Sequence, residues 1–383
     1  MPRDFFNRYT HDLTSEELGK LFTRETPEAY KFFARGINTA ELEGLPWHQK
    51  AIKYAQGFFL AFTMRLSPAR RLMYGVSLAF AVVGVLQLFA GFGWIQIAVA
   101  FIPISVPGPL FANGTVALLS GFLLMNLLVL LEVADRLSLK RDLEVAREIQ
   151  NAMLPEGTWS GPGVEAFGLT KPANTVGGDF YDILPQPDGT VIVALGDVAG
   201  KASPAALLMA LLLAILRTLV DERMPLPALV QRLNVQVGRH APASRFITLF
   251  LASFTPSTGR LEFVNAGQTP PLLRRQNGSI ERLMSGGVAL GMFEGSQYET
   301  GELHLNPGDA LLMYSDGLTE AESPDGQPFD EAGLERTLAL FAGAYQKTAA
   351  AELGTAVFDA VERHRRDQRL QDDLTVLVLS RLA

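Results

Sequence analysis

The sequence predicts an α+β domain built on antiparallel sheets, preceded by a transmembrane helical hairpin and a linker helix. Three observations carry this reading. Residues 72–131 form a run of sixty without a single Asp, Glu, Lys, Arg or His. Beyond residue 158, strand-like and helical runs come in groups rather than in strict alternation, which favours α+β over a doubly wound sheet. Five aspartates punctuate the C-terminal part, each beside glycine or at a strand edge: Asp179 in VGGDFYD, Asp197 in GDVAGK, Asp316 in YSDGLTE, and Asp372 with Asp373 in QDDLTVLVLS.

From the N-terminus, the opening MPRDFFNRYTHDLTSEELGK lacks the apolar core of a signal peptide, and residues 1–71 are expected to be a cytoplasmic region from the cations that flank the uncharged run. The apolar patch 55–64 suits an interfacial helix. The uncharged run far exceeds the ~18 apolar residues that suggest one membrane helix. Residues 72–133 therefore read as a membrane domain with spans at about 73–92 and 116–133, broken between them by Pro103, Pro107, Gly108 and Pro109. The stretch 94–104 is short for a span and suits an interfacial or re-entrant segment. Arg65, Arg70 and Arg71 precede the run and Arg136, Lys140 and Arg141 follow it, so the positive-inside rule places both flanks in the cytoplasm. That requires an even number of crossings, and it predicts a multi-pass protein of the cell (inner) membrane with its C-terminal domain in the cytoplasm. In the linker, residues 134–157, Leu139, Leu143, Ala146, Ile149 and Met153 share one helical face until Pro155 and Gly157 end the helix. Such a face suits packing on the next domain, or pairing two subunits into a homodimer as a parallel coiled coil.

Residues 158–383 read as one globular domain. Strands are expected at 163–169, 180–184, 191–195, 246–254, 260–265, 271–275, 310–314 and 374–379, and helices at about 204–221, 226–240, 330–341 and 347–363. The uncharged stretch 202–216 resembles another span but is too short, which points to a helix buried inside a sandwich.

Composition narrows the chemistry. A formal charge of −7 and the lack of a long basic stripe argue against nucleic acid as a partner. The local cluster Arg363, Arg365, Arg366 and Arg369 suits a solvated helix face. With no cysteine, and with the five histidines lying away from the aspartate motifs, a reactive centre here has to be built from carboxylate oxygens, the ligands of hard divalent cations. One aspartate beside glycine is an ordinary turn residue. Several brought together would repel one another strongly, and two divalent cations about 3.5–4 Å apart would relieve that repulsion while activating water for attack on a phosphate ester. A Walker loop and a kinase signature set are absent. The GGD at 177–179 resembles the start of a diguanylate cyclase signature, but Phe180 and Tyr181 follow where that reading needs an acid. A transporter is disfavoured because the run 72–131 that forms the spans carries no Asp, Glu, Lys, Arg or His to line a pathway.

The fragments EVAREIQNAMLP, KPANTVGGDFYD, LGDVAGKASPAALLMA, FVNAGQTPPLL, PGDALLMYSDGLTEA and QDDLTVLVL, in this order, resemble the metal-dependent PPM-type protein serine/threonine phosphatases, in their SpoIIE/RsbU-like branch. The resemblance covers about 143–382. It implies a four-layer α-β-β-α sandwich with two Mn²⁺ or Mg²⁺ ions at one edge of the paired sheets. It further implies that Asp197 bridges both ions, that the Val198 carbonyl binds one, that Asp316 and Asp373 hold the second, and that Asp179 contributes directly or through water. Asp197 and Asp179 are then the catalytic centre, with Gly178, Asp182 and Asp372 in support. The implied substrate is a phosphorylated protein, a STAS-fold anti-sigma-factor antagonist. The competing reading is a pseudophosphatase that binds a phosphoprotein without turnover. Gln268 stands where the family usually has His, and Ala202 where it usually has Gly. No phosphate-binding arginine is identifiable, and Lys171 is the candidate cation.

Overall fold

A computed structural model describes residues 46–89, 92–99, 102–109, 111–242, 245–284, 286–341, 349–366 and 368–382. Most of the expected N-terminal cytoplasmic region, 1–45, lies outside the described residues. Contacts divide the chain into two compact units, 1–138 and 139–383.

In the first unit, α1 (Trp47–Thr63) is followed by α2 (Pro68–Phe89), a hairpin of β1 (Phe92–Val99) and β2 (Ile102–Pro109), and α3 (Phe111–Met153), which continues into the second unit. Both α2 and α3 are long and apolar enough to cross a membrane by length and composition. They meet along small residues: Ser77, Gly84, Ala117 and Gly121 are buried, and a Cβ on Gly84 would lie 2.9 Å from the Gly114 carbonyl oxygen. At one end Arg70 pairs with Glu132 (3.1 Å) and Asp135 (2.7 Å). Val82, Leu86, Phe122, Leu123 and Leu130 are exposed on the outer faces.

The stretch 94–104, read from sequence as an interfacial or re-entrant segment, lies in an antiparallel hairpin with Trp94 opposite Pro107 and Val99 opposite Ile102. The reason is legible in retrospect. Ile95, Ile97, Val99, Ile102, Ile104 and Val106 alternate β-branched residues at period two, whereas a helix needs 3.6. Pro103, Pro107 and Pro109 share one parity of β2, so all three can sit where N–H groups point away from the partner strand.

The second unit stacks two antiparallel sheets. Six strands run in the order β10 (Ile280–Arg282), β9 (Leu272–Arg274), β12 (Ala310–Tyr314), β13 (Leu374–Arg381), β4 (Val164–Lys171), β3 (Thr158–Gly161). Five run in the order β11 (Gly301–His304), β8 (Arg260–Ala266), β7 (Ile247–Thr255), β6 (Val191–Val198), β5 (Phe180–Pro185). Helices α4 (Ser203–Val220) and α5 (Leu226–His240) cover the five-stranded sheet, while α6 (Asp316–Glu320), α7 (Asp330–Ala339) and α8 (Ala350–Arg365) lie on the six-stranded one. This is the four-layer α-β-β-α sandwich.

Side-chain alternation on the central strands explains the layering. Leu311, Met313, Leu377 and Leu379 point into the core between the sheets, whereas Ala310, Leu312, Tyr314, Val376 and Val378 point into a second core under α7 and α8. Buried on both faces, β12 and β13 read as continuous apolar runs. Helix α4, rich in Ala, Leu and Met with Pro at its start, is also long and apolar enough to span a membrane. It is instead built into the sandwich, with Ala205, Met209, Leu212, Leu213 and Leu216 fully covered. All eight expected strands are present, together with three short ones, β3, β10 and β11, that the sequence reading missed.

Candidate functional site

Hairpin registers bring the aspartates to one edge. Phe180 pairs with Gly196, so Asp179, just before β5, and Asp197, near the end of β6, are neighbours across two strands. Tyr314 pairs with Val376, and the Ser315 N–H donates to the Thr375 carbonyl (3.0 Å), which sets Asp316 beside Asp372 and Asp373.

Each carboxylate has a distinct environment. Asp179 is only 4% exposed, and its buried Oδ2 has no hydrogen-bond partner. Burial first, then the charges of Asp197 and Asp373, push its carboxyl well above the ordinary range. Asp197 is raised to about 6, chiefly by burial and then by the charge of Asp316. Its backbone is fixed by Thr248, whose hydroxyl accepts from the Asp197 N–H (3.2 Å). Asp316 is raised by burial and by the charge of Asp372.

Asp373 is occupied differently. Its Oδ2 accepts the N–H groups of Gly178 (2.7 Å) and Asp179 (3.4 Å), and its Oδ1 accepts that of Ala173 (2.7 Å). It anchors the loop that carries Asp179, while Asp372, paired with Lys201 at 3.1 Å, is the half-exposed carboxylate facing Asp316. Asp182 lies away from this edge. It is 1% exposed and receives Arg217 of α4 through both oxygens, at 2.7 and 3.2 Å.

Gly178 shows why the loop needs glycine. A Cβ there would lie 2.9 Å from both Asp197 Oδ1 and the Val198 carbonyl oxygen. Those two oxygens thus flank one small space at the edge that also carries Asp179, whose carboxyl feels the charge of Asp197. An all-oxygen set with an orphaned buried carboxylate oxygen fits hard divalent cations. Among the described residues no three acidic or histidine side chains form a closed metal cage. The donors therefore suit ions such as Mg²⁺ that take one or two carboxylates and keep several waters.

Sequence reasoning missed the residues that hold this edge in place. Gln150, in the last turn of α3, donates from Nε2 to the Gly177 carbonyl (2.9 Å) and accepts the Gly177 N–H at Oε1 (3.2 Å). Arg245 donates to the Ala199 carbonyl (2.8 Å), and Arg217 also caps the Met153 carbonyl at the end of α3. Lys171, the sequence candidate for phosphate, is engaged by Glu362 at 2.9 Å. Gln268, in place of the usual His, is a buried staple: its N–H meets Asn265 Oδ1 (2.7 Å) and its Nε2 the Tyr314 carbonyl (3.2 Å).

Comparison with known proteins agrees with this architecture. The profile of the family described as Stage II sporulation protein E (SpoIIE) matches residues 187–382, which include Asp197, Asp316, Asp372 and Asp373. Protein IcfG of Synechocystis sp. is 28% identical over 285 residues, which is 66% of this chain and 43% of IcfG. Phosphoserine phosphatase RsbU of Bacillus subtilis is 26% identical over 245 residues, covering 63% of this chain and 71% of RsbU. The chain thus spans less than half of one of these two relatives. Among solved structures, the SiaA-PP2C domain of Pseudomonas aeruginosa superposes with a TM-score of 0.55 at 22% identity, over 64% of this chain and 98% of that domain, which establishes the fold. With its sandwich, its edge of aspartates and this match, the chain belongs to the SpoIIE family and its second unit has the PP2C fold.

Proposed function

We propose that the chain is a membrane-anchored protein phosphatase that hydrolyses phosphoserine and phosphothreonine with two divalent cations, Mn²⁺ or Mg²⁺. The observation that carries this is the presence at one sheet edge of Asp197 Oδ1, the Val198 carbonyl and Asp179 with its orphaned Oδ2, with Asp316 and Asp372 beside them. The name phosphoserine phosphatase carried by the relative RsbU supports the same reading. Asp197, Val198 and Asp179 would hold the first ion. Asp316 and Asp372, together with waters, would hold the second, a choice that differs from the Asp316–Asp373 pair expected from sequence and is supported by the backbone N–H groups that Asp373 already accepts at both oxygens. Bound there, the cations would lower the pKa of a water and offset charge on the phosphoryl group. Asp373 and Gly178 keep the Asp179 loop against Asp197, and Thr248 fixes the Asp197 backbone.

The substrate is a phosphorylated protein, for which we propose a STAS-fold anti-sigma-factor antagonist, following the family resemblance. The helices α2 and α3 would anchor the chain in the cell membrane with the sandwich in the cytoplasm, supported by the cations flanking the uncharged run. Pairing of two subunits along the linker is the proposed oligomeric form, supported by the exposed Leu139 and Ile149 on its apolar face. The test is phosphate release from an aryl phosphate by the full chain, with and without Mn²⁺. Release that requires Mn²⁺ and is lost in Asp197→Asn supports the proposal. Mn²⁺ bound without turnover on aryl phosphate and on phosphoproteins favours the pseudophosphatase.

A further inference from the structure

Beside the aspartates lies a cleft of about 310 Å³, walled by Lys201, Gly317, Glu320, Arg365, Arg369 and Asp372. Gly317 and Asp372 adjoin Asp316 and Asp373 in sequence, so the cleft opens next to the metal-site edge. Its cations differ in how they are held. Arg365 is largely buried and paired with Glu362, which makes it part of the wall. Lys201 has a 60% exposed side chain, yet it is directed: Nζ donates to the Gln371 carbonyl (2.7 Å) and to Asp372 Oδ2 (3.1 Å). Arg369 is exposed and has no ion pair among the described residues.

The backbone around Lys201 is a second, independent observation. Gly200 has φ +116°, and Ala202 has φ 63° with ψ −151°, a conformation that residues with a Cβ rarely adopt. The corner is held from outside by Arg245 on the Ala199 carbonyl and by the Ala199 N–H on the Phe246 carbonyl (2.9 Å). A strained corner held by its surroundings, four residues after Asp197, turns Lys201 toward Asp372. Charge gives that placement a purpose. A dianionic phosphate ester approaching an edge of carboxylates is repelled unless cations line its path. Two acids also line the cleft, Glu320 and Glu322, the latter accepting from Gln371 Nε2 (3.1 Å), whereas Lys201 contacts the Gln371 carbonyl and Asp372.

We propose that Lys201 and Arg369 are the phosphate-binding residues of this site. Lys201 reaches from Asp372 to a phosphoryl oxygen, and Arg369 meets the same group from the 369–371 side of the cleft. The inference rests on the phosphatase reading above and supplies the anion contact that the sequence did not show.

The experiment compares wild type, Lys201→Gln, Arg369→Gln and Lys201→Arg in the full chain. It measures kcat and KM for an aryl phosphate, the inhibition constant for inorganic phosphate, and Mn²⁺ affinity by calorimetry. Each Gln variant is expected to raise KM and the phosphate inhibition constant together by about tenfold, the loss of one charge-assisted hydrogen bond. Mn²⁺ affinity stays at the wild-type value, and Lys201→Arg recovers most of the loss. Unchanged KM and inhibition constants overturn the proposal, as does a fall in Mn²⁺ affinity that tracks the loss, since Lys201 would then only brace Asp372. If wild type itself releases no phosphate, the phosphatase reading fails separately. Calorimetric binding of inorganic phosphate to the Mn²⁺-loaded chain then decides this inference: binding weakened in both Gln variants supports it, and equal or absent binding overturns it.

Discussion

Removing one carboxylate from the site should stabilise the metal-free protein. Asp197 is raised from an ordinary 3.8 to about 6, by burial first and then by neighbouring carboxylates. The folded state therefore holds a proton there more tightly than the unfolded chain does. The associated stability is fully present below about pH 4 and is lost as pH rises through 6. At 1.36 kcal/mol per unit, the ionised carboxylate costs on the order of 2–3 kcal/mol at pH 7.5. Asp197→Asn removes that cost. At roughly 2–4 °C per kcal/mol for a domain of this size, the variant should melt about 5–10 °C above wild type at pH 7.5, with the gap closing toward pH 4. The assay is scanning calorimetry of the detergent-solubilised full chain in EDTA, following the transition of the sandwich unit. Saturating Mn²⁺ should reverse the order, because only wild type gains the full binding energy of the ions. A variant that melts below wild type in EDTA at pH 7.5, or a gap independent of pH, would refute the claim that the aspartates are held together against their own repulsion.

Other substitutions follow from the contacts around the site. Gln150→Ala removes two hydrogen bonds to Gly177 and should raise the Mn²⁺ concentration for half-maximal activity several-fold; unchanged Mn²⁺ dependence would show that the last turn of α3 does not steady the Asp179 loop. Arg217→Ala leaves Asp182 buried without its partner and should cost about 3 kcal/mol, read as a lowered denaturant midpoint. Ala202→Gly relieves the strained corner and should stabilise by about 1 kcal/mol after the entropy of the added glycine is counted, read in the same unfolding experiment.

How much of this was legible in the sequence depended on periodicity. Strands such as β6, β7 and β13 have long apolar runs, and α4 and α5 have clear helical patterns, so both sheets and their covering helices could be placed before any coordinates. The short edge strands β3, β10 and β11 carry mixed polar residues with one face in water, a pattern that loops share. Between the apolar helices, low charge suits membrane-embedded chain of any conformation, and only the period-two alternation of 95–106 distinguishes the hairpin. Aspartates beside glycine marked the site edge, but adjacent Asp372 and Asp373 differ only in which strand end they face, and that depends on the pairing of β12 with β13. Gln150 and Lys201 look like solvated residues in one dimension. Their roles come from contacts 27 and 171 residues away, which no local pattern encodes.

The most direct test of the two-cation site is anomalous diffraction from crystals of the Mn²⁺-loaded protein. Two Mn²⁺ peaks are predicted, one against Asp179, Asp197 and the Val198 carbonyl and the other against Asp316 and Asp372, with Asp373 still on the N–H groups of Gly178 and Ala173. Absence of Mn²⁺ at this edge, or a second ion held by Asp373 with Asp372 left on Lys201, would contradict the account.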